Sequence, residues 1–116
     1  MTRGEIWWAD FGIPFGSEPG FQRPVLIVQD DAFNKSNIRT IVVLPFSTNL
    51  LLAEAPGNVL FGTEATRLPK DSVVVTSQIH SVDRARLIKK VWKLDRRSVE
   101  EIDDGLMTVL GLRRIG

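Results

Sequence analysis

Short apolar runs rich in Val, Ile, Phe and Trp alternate along this chain with clusters of Gly, Pro, Asn and Asp. That pattern predicts strands at 4–10, 24–29, 40–46, 58–61 and 72–78, with a last strand inside 87–94. A mainly β domain follows, with a turn at Pro69-Lys70-Asp71. Between the second and third strands, Asp30-Asp31-Ala32-Phe33-Asn34 predicts a short helix, because an Asp caps free amides and the stretch from Asn34 to Asn37 favours a stop. After Asp95 the period changes. Val99, Ile102, Leu106, Val109, Leu110 and Arg113 recur at helical spacing, and Glu100, Glu101, Asp103 and Asp104 occupy the other face. This predicts a C-terminal amphipathic helix packed on the sheet, capped by Asp95 or Ser98, with Arg113 and Arg114 toward its negative end. Trp7 and Trp8 are neighbours on the first strand, so one is predicted to anchor the core and the other to face outward or toward a partner.

At 116 residues the chain is predicted to form one domain over 1–116. No apolar run approaches the roughly 20 residues needed to span a bilayer, and the start lacks the apolar stretch of a secretory signal, so a cytoplasmic location without a membrane partner is expected. Cysteine is absent and His80 is the sole histidine, which leaves no disulfide frame and no ordinary zinc ligand set. Neither a metal nor a cofactor is expected. The net charge of +1 conceals a local excess: residues 67 to 97 carry nine Lys/Arg against three Asp, whereas residues 1 to 66 carry four against seven acids. Concentrated positive charge draws a polyanion even when the total is near zero.

Arg23 is the first candidate for chemistry. Pro24 restricts it to extended geometry at a strand start, where its fork of donors suits phosphate oxygens and its charge persists at any physiological pH. The third strand ends Pro45-Phe46-Ser47-Thr48-Asn49, offering two hydroxyls that alternation would point to opposite faces. Either Ser47 or Thr48 is a candidate partner for Arg23. The Gly/Pro-rich loop from Gly12 to Gln22 carries Ser17 together with Phe15 and Phe21, which either stack on bases or tuck into the core. A second loop, from Leu50 to Gly57, holds Leu50, Leu51 and Leu52, of which at least one is expected in the core. Gln78 and His80 are predicted on one side of a strand lining a groove, and Asp83 is expected to pair with Arg84 or Arg86.

The order and spacing of several segments over about residues 3 to 112 resemble the MazF/PemK/Kid family of toxin endoribonucleases. The segments are Gly4-Glu5-Ile6-Trp7-Trp8-Ala9-Asp10-Phe11, Gln22-Arg23-Pro24-Val25-Leu26-Ile27-Val28, Lys70-Asp71-Ser72-Val73-Val74-Val75 and the run from Gln78 to Leu87. The resemblance implies an α+β fold, mainly β with helices: a small SH3-like barrel of the CcdB/MazF type. It also implies a homodimeric, metal-independent enzyme that cleaves single-stranded mRNA and is neutralised by a cognate MazE-like antitoxin. The substrate's 2′-hydroxyl would attack the adjacent phosphorus, giving 2′,3′-cyclic phosphate and 5′-hydroxyl ends. On this likeness Arg23 is the catalytic arginine, Ser47 or Thr48 the catalytic hydroxyl, and Phe15, Ser17, Phe21, Asn49, Gln78, His80, Arg84 and Arg86 contact RNA. Two rivals use the same scaffold: a CcdB-like gyrase inhibitor without enzymatic activity, and a plain RNA-binding module that leaves RNA intact.

Overall fold

The computed structural model describes residues 1–12 and 22–112. In chain order the elements are β1 (Glu5–Asp10), β2 (Gln22–Ile27), helix α1 (Asp31–Asn34), β3 (Thr40–Ser47), a 3-10 turn (Leu50–Glu54) and β4 (Val59–Phe61). A short helix α2 (Thr63–Thr66), β5 (Ser72–Val74), β6 (His80–Asp83), a second 3-10 turn (Arg84–Arg86), β7 (Leu87–Lys93) and helix α3 (Arg96–Leu110) follow. The expected α+β architecture, mainly β with a C-terminal helix, is what the chain adopts.

All strand pairs are antiparallel, in the order β4-β5-β3-β2-β1-β7 with β6 also on β3. β3 is the hub. Its first half pairs with β6 from Thr40 to Val43, and its last residues, Phe46 and Ser47, pair with β5. β6 then runs through the Arg84–Arg86 turn into β7, which pairs with β1 at the other side of β2. The sheet therefore curls, and Val82 and Leu87 meet Val25, Ile27, Ile41 and Val43 in one apolar cluster. The opposite face carries a second cluster, built from Ile6, Leu26, Leu44, Phe46, Phe61, Leu68, Val74, Leu94 and Ile102. Burial on both faces explains why Val25, Leu26 and Ile27 are apolar without alternation.

Two expectations need correction. The strand predicted at 72–78 is broken: the Gln78 amide donates to the Val75 carbonyl at 3.1 Å, and the chain turns before rejoining the same edge of β3 as β6. Thr76, fully buried, is held in that turn by Asn58, whose Oδ1 accepts from its amide at 3.0 Å. Gln78 and His80 accordingly do not share a strand face. Trp7 and Trp8 are both half-buried, Trp7 packed against one cluster and Trp8 against the other.

Helix α3 starts at Asp95, whose carboxylate accepts from the Ser98 amide at 2.8 Å, and ends at Gly111 with φ +67. Ile102 is buried in the core beneath it, Val99 and Leu106 are partly so, and Leu110 is exposed. Arg113 and Arg114 lie outside the described residues.

Candidate active site

Two prolines create the opening at the end of the sheet. The β2–β3 ladder runs Ile27↔Val43, Leu26↔Leu44, Val25↔Pro45 and stops where Pro24 and Pro45 have no N–H to contribute. From there β3 turns to β5, pairing Phe46 with Val74 and Ser47 with Val73. The gap is a cleft of about 440 Å³ lined by Trp8, Gln22, Arg23, Pro24, Phe46, Ser47, Thr48, Leu68, Pro69, Lys70 and Ser72. Arg23 lies two residues before the last β2–β3 pair on β2 and Ser47 two residues after it on β3, and both line the cleft. Thr48 lines the same cleft, so both hydroxyls share it with the arginine.

Arg23 is held by its backbone on β1, opposite Ala9, and its side chain is exposed. Among the described residues its guanidinium forms no hydrogen bond or ion pair. Lys70 is the second cation of the lining, and among the described residues no carboxylate belongs to it. Ser47 Oγ accepts from the Asn49 amide at 3.1 Å, which directs its own proton away from that turn. Asn49 in turn caps the Leu50–Glu54 turn, its Oδ1 accepting from Leu51 at 3.2 Å.

The other predicted contacts lie elsewhere. His80 is exposed on β6 opposite Val43, about 13 Å along β3 from Ser47 at strand rise. Arg84 is spent on the fold, donating to the carbonyls of Ile38 (2.8 Å), Asn34 (2.7 Å) and Phe33 (3.0 Å). Arg86 donates to the Asp10 carbonyl at 3.2 Å and lines a separate groove with Gly12, Arg39 and Asp83. The expected ion pair of Asp83 with Arg84 or Arg86 is not formed, because Asp83 caps the 3-10 turn by accepting from Ala85 at 2.8 Å. Phe15, Ser17 and Phe21 lie outside the described residues. Leu50 and Leu51 are exposed and Leu52 is partly buried. Sequence reasoning did not place Lys70, Gln22 or Ser72 in the site; the basic turn Pro69-Lys70-Asp71 was the available signal for Lys70.

Residues 2–110 match the family described as PemK-like, MazF-like toxin of type II toxin-antitoxin system. The chain belongs to that family. It is similar to the endoribonuclease MazF2 of Mycobacterium bovis and to the endoribonuclease MazF6 of Mycobacterium tuberculosis, each 40% identical over 112 residues covering 97% of this chain and 98% of the relative. A solved mycobacterial endoribonuclease in complex with its cognate antitoxin superposes with a TM-score of 0.79 at 22% identity, covering 99% of both chains, which supports the shared fold. The span matching the PemK/MazF toxins holds every residue that lines the cleft, from Trp8 to Ser72.

Proposed function

We propose that this PemK/MazF-type endoribonuclease toxin cleaves single-stranded RNA in the Arg23 cleft, using the substrate's own 2′-hydroxyl as nucleophile. The observation that carries this reading is the convergence of Arg23, Lys70 and two hydroxyls, Ser47 and Thr48, in one concavity. The 2′-oxygen forms a bond to phosphorus as the bond from phosphorus to the 5′-oxygen breaks. One proton leaves the 2′-hydroxyl, one arrives at the 5′-oxygen, and no water is consumed, leaving a 2′,3′-cyclic phosphate and a 5′-hydroxyl. The guanidinium stabilises the charge gathering on the non-bridging oxygens, and the Ser47 or Thr48 hydroxyl orients one of them. DNA, lacking the nucleophile, is spared.

The gyrase-inhibitor alternative loses its support with the family match, and an RNA binder has no need of two hydroxyls sharing a cleft with an arginine. The reading includes a homodimer, a cytoplasmic location where mRNA is found, and neutralisation by a cognate antitoxin; the complex seen for the solved relative motivates the last of these. Among the described residues no helix is long and apolar enough to cross a membrane. The test is incubation of purified protein with mixed-sequence RNA in EDTA, followed by end-group analysis. Cyclic phosphate and 5′-hydroxyl ends support the reading, and intact RNA rejects it.

A further inference from the structure

The cleft does not stop at Trp8. A second hollow of about 280 Å³ is bounded by Trp8, Gln22, Ile88 and Lys89, so it shares two of its four walls with the Arg23 cleft. Trp8 is half-buried against the core, which fixes its indole in place while one side lines both spaces. The β1–β7 register slips between Trp8 and Ala9 and again between Ile6 and Trp7, so irregular pairing brackets the tryptophan pair. Such irregularities re-aim side chains and cluster beside functional sites. Lys89 lies directly across from Trp8 on β7. Of the three β7 lysines, Lys90 reaches Glu5 at 3.4 Å and Lys93 reaches the Thr2 hydroxyl at 3.2 Å, while Lys89 has no partner among the described residues.

We propose that the Trp8–Lys89 hollow is a second nucleotide subsite, in which a base stacks on the Trp8 indole and a phosphate flanking that base meets Lys89. This rests on the RNA reading of the Arg23 cleft. Arg23 on β2 and Lys89 on β7 are separated by β1, where they pair with Ala9 and Trp8, and the hollows they line share Trp8 and Gln22. Adjacent phosphates of a splayed single strand bridge such a gap, and aromatic platforms between cations are how single strands are held irrespective of sequence. An acidic polypeptide could use the lysine but has no base to lay on the indole, so RNA is the favoured occupant.

The test measures anisotropy of a labelled mixed-sequence oligonucleotide with 2′-O-methyl riboses, which cannot be cut, at several salt concentrations. Lys89→Ala is expected to weaken binding at least threefold and to lower the log–log salt slope by about 0.7, the value for one single-strand phosphate contact. Trp8→Leu is expected to weaken binding roughly fivefold or more without changing the slope, while Trp8→Phe keeps the platform and stays near the native affinity. Lys35→Ala, an exposed lysine on the far connection, serves as control. The subsite is overturned if Lys89→Ala matches Lys35→Ala in affinity and slope, or if Trp8→Leu and Trp8→Phe bind alike. It is equally overturned if Lys89→Ala weakens binding of a polyglutamate peptide but not of the oligonucleotide. Should Trp8→Leu fail to fold, the Lys89 arm decides alone. Native-like behaviour of these variants with intact cutting of unmodified RNA removes only the subsite; the expected losses with no cutting by the native protein remove only the catalytic reading.

Discussion

At the scale of single residues, Arg23 and the two hydroxyls divide the proposed chemistry between charge and orientation. Replacing Arg23 by Ala is expected to lower single-turnover cleavage by roughly 10²–10³, the usual cost of removing one transition-state donor, with the circular dichroism spectrum unchanged. Arg23→Lys keeps the charge but loses the planar fork and is expected to recover only part of the rate. Native cutting by a folded Arg23→Ala protein would refute the assignment. Ser47→Ala and Thr48→Ala separate the hydroxyls: Ser47 is fixed on β3 by its pairing with Val73 whereas Thr48 lies past the strand end, so the loss of Ser47 is expected to cost more. A different balance holds at Arg67, which caps α2 with φ +63 although it is not glycine, and whose guanidinium stacks 4.8 Å from the Trp92 ring centre. The left-handed backbone costs about 1 kcal/mol and the exposed stack returns about 0.5–1 kcal/mol. Arg67→Gly should therefore be close to neutral in urea unfolding, whereas Arg67→Ala, keeping the strain and losing the stack, should be the less stable of the two.

At the scale of elements, a pair of glycines fits α3 against the turn before β4. A Cβ on Gly105 would lie 2.1 Å from the carbonyl oxygen of Gly57, and Gly57 itself has φ +89, so neither side can yield cheaply. Ala gains about 1 kcal/mol over Gly in a helix interior, but overpacking costs about 1–3 kcal/mol or more, so Gly105→Ala is expected to lower stability on urea titration. A stabilised variant would show that α3 can slide away from the turn at Gly57. This contact could not be seen in the pattern of apolar positions, since a glycine in a helix announces nothing about what it meets. The pattern did reveal β1, β2, β3, β7 and α3, because each has a long apolar run or a helical period set off by Asp, Pro or Gly. It merged β5 with β6, because the break between them depends on Asn58 reaching Thr76 from 18 residues away. The Arg23–hydroxyl cleft was legible from Arg23-Pro24 and from Ser47-Thr48, whereas the diversion of Arg84 to three carbonyls of the α1 connection was not, because those acceptors exist only once β3 and β6 pair.

At the scale of the whole molecule, β1 carries Trp8 and braces Arg23, so whatever secures β1 secures the cleft. Glu5 is the fastening: buried, it accepts from the Trp7 indole at 2.9 Å and the Thr2 hydroxyl at 2.8 Å and faces Lys90 at 3.4 Å. Burial pushes its carboxyl up, but the Trp7 and Thr2 hydrogen bonds and Lys90 together outweigh this and hold it down at about 2, against an ordinary 4.5. Asp31, receiving the Arg3 amide and the Asn34 side chain, and Asp95, receiving the Ser98 amide, are lowered as well. A carboxyl whose folded pKa lies below its unfolded one contributes stability above the unfolded value and loses it as pH falls toward the folded one. For Glu5 that window runs from about pH 4.5 to about 2, and its shift corresponds to about 3 kcal/mol. The native protein should thus lose stability steeply through this window. Glu5→Gln keeps an acceptor for Trp7 but cannot titrate, so it should be less stable at neutral pH and show a flatter acid limb, converging with the native protein near pH 2. Urea midpoints measured between pH 7 and pH 2 check this. Parallel curves for the two proteins would mean that Glu5 is not what ties β1 to β7, and that the floor of the cleft is held by the apolar clusters alone.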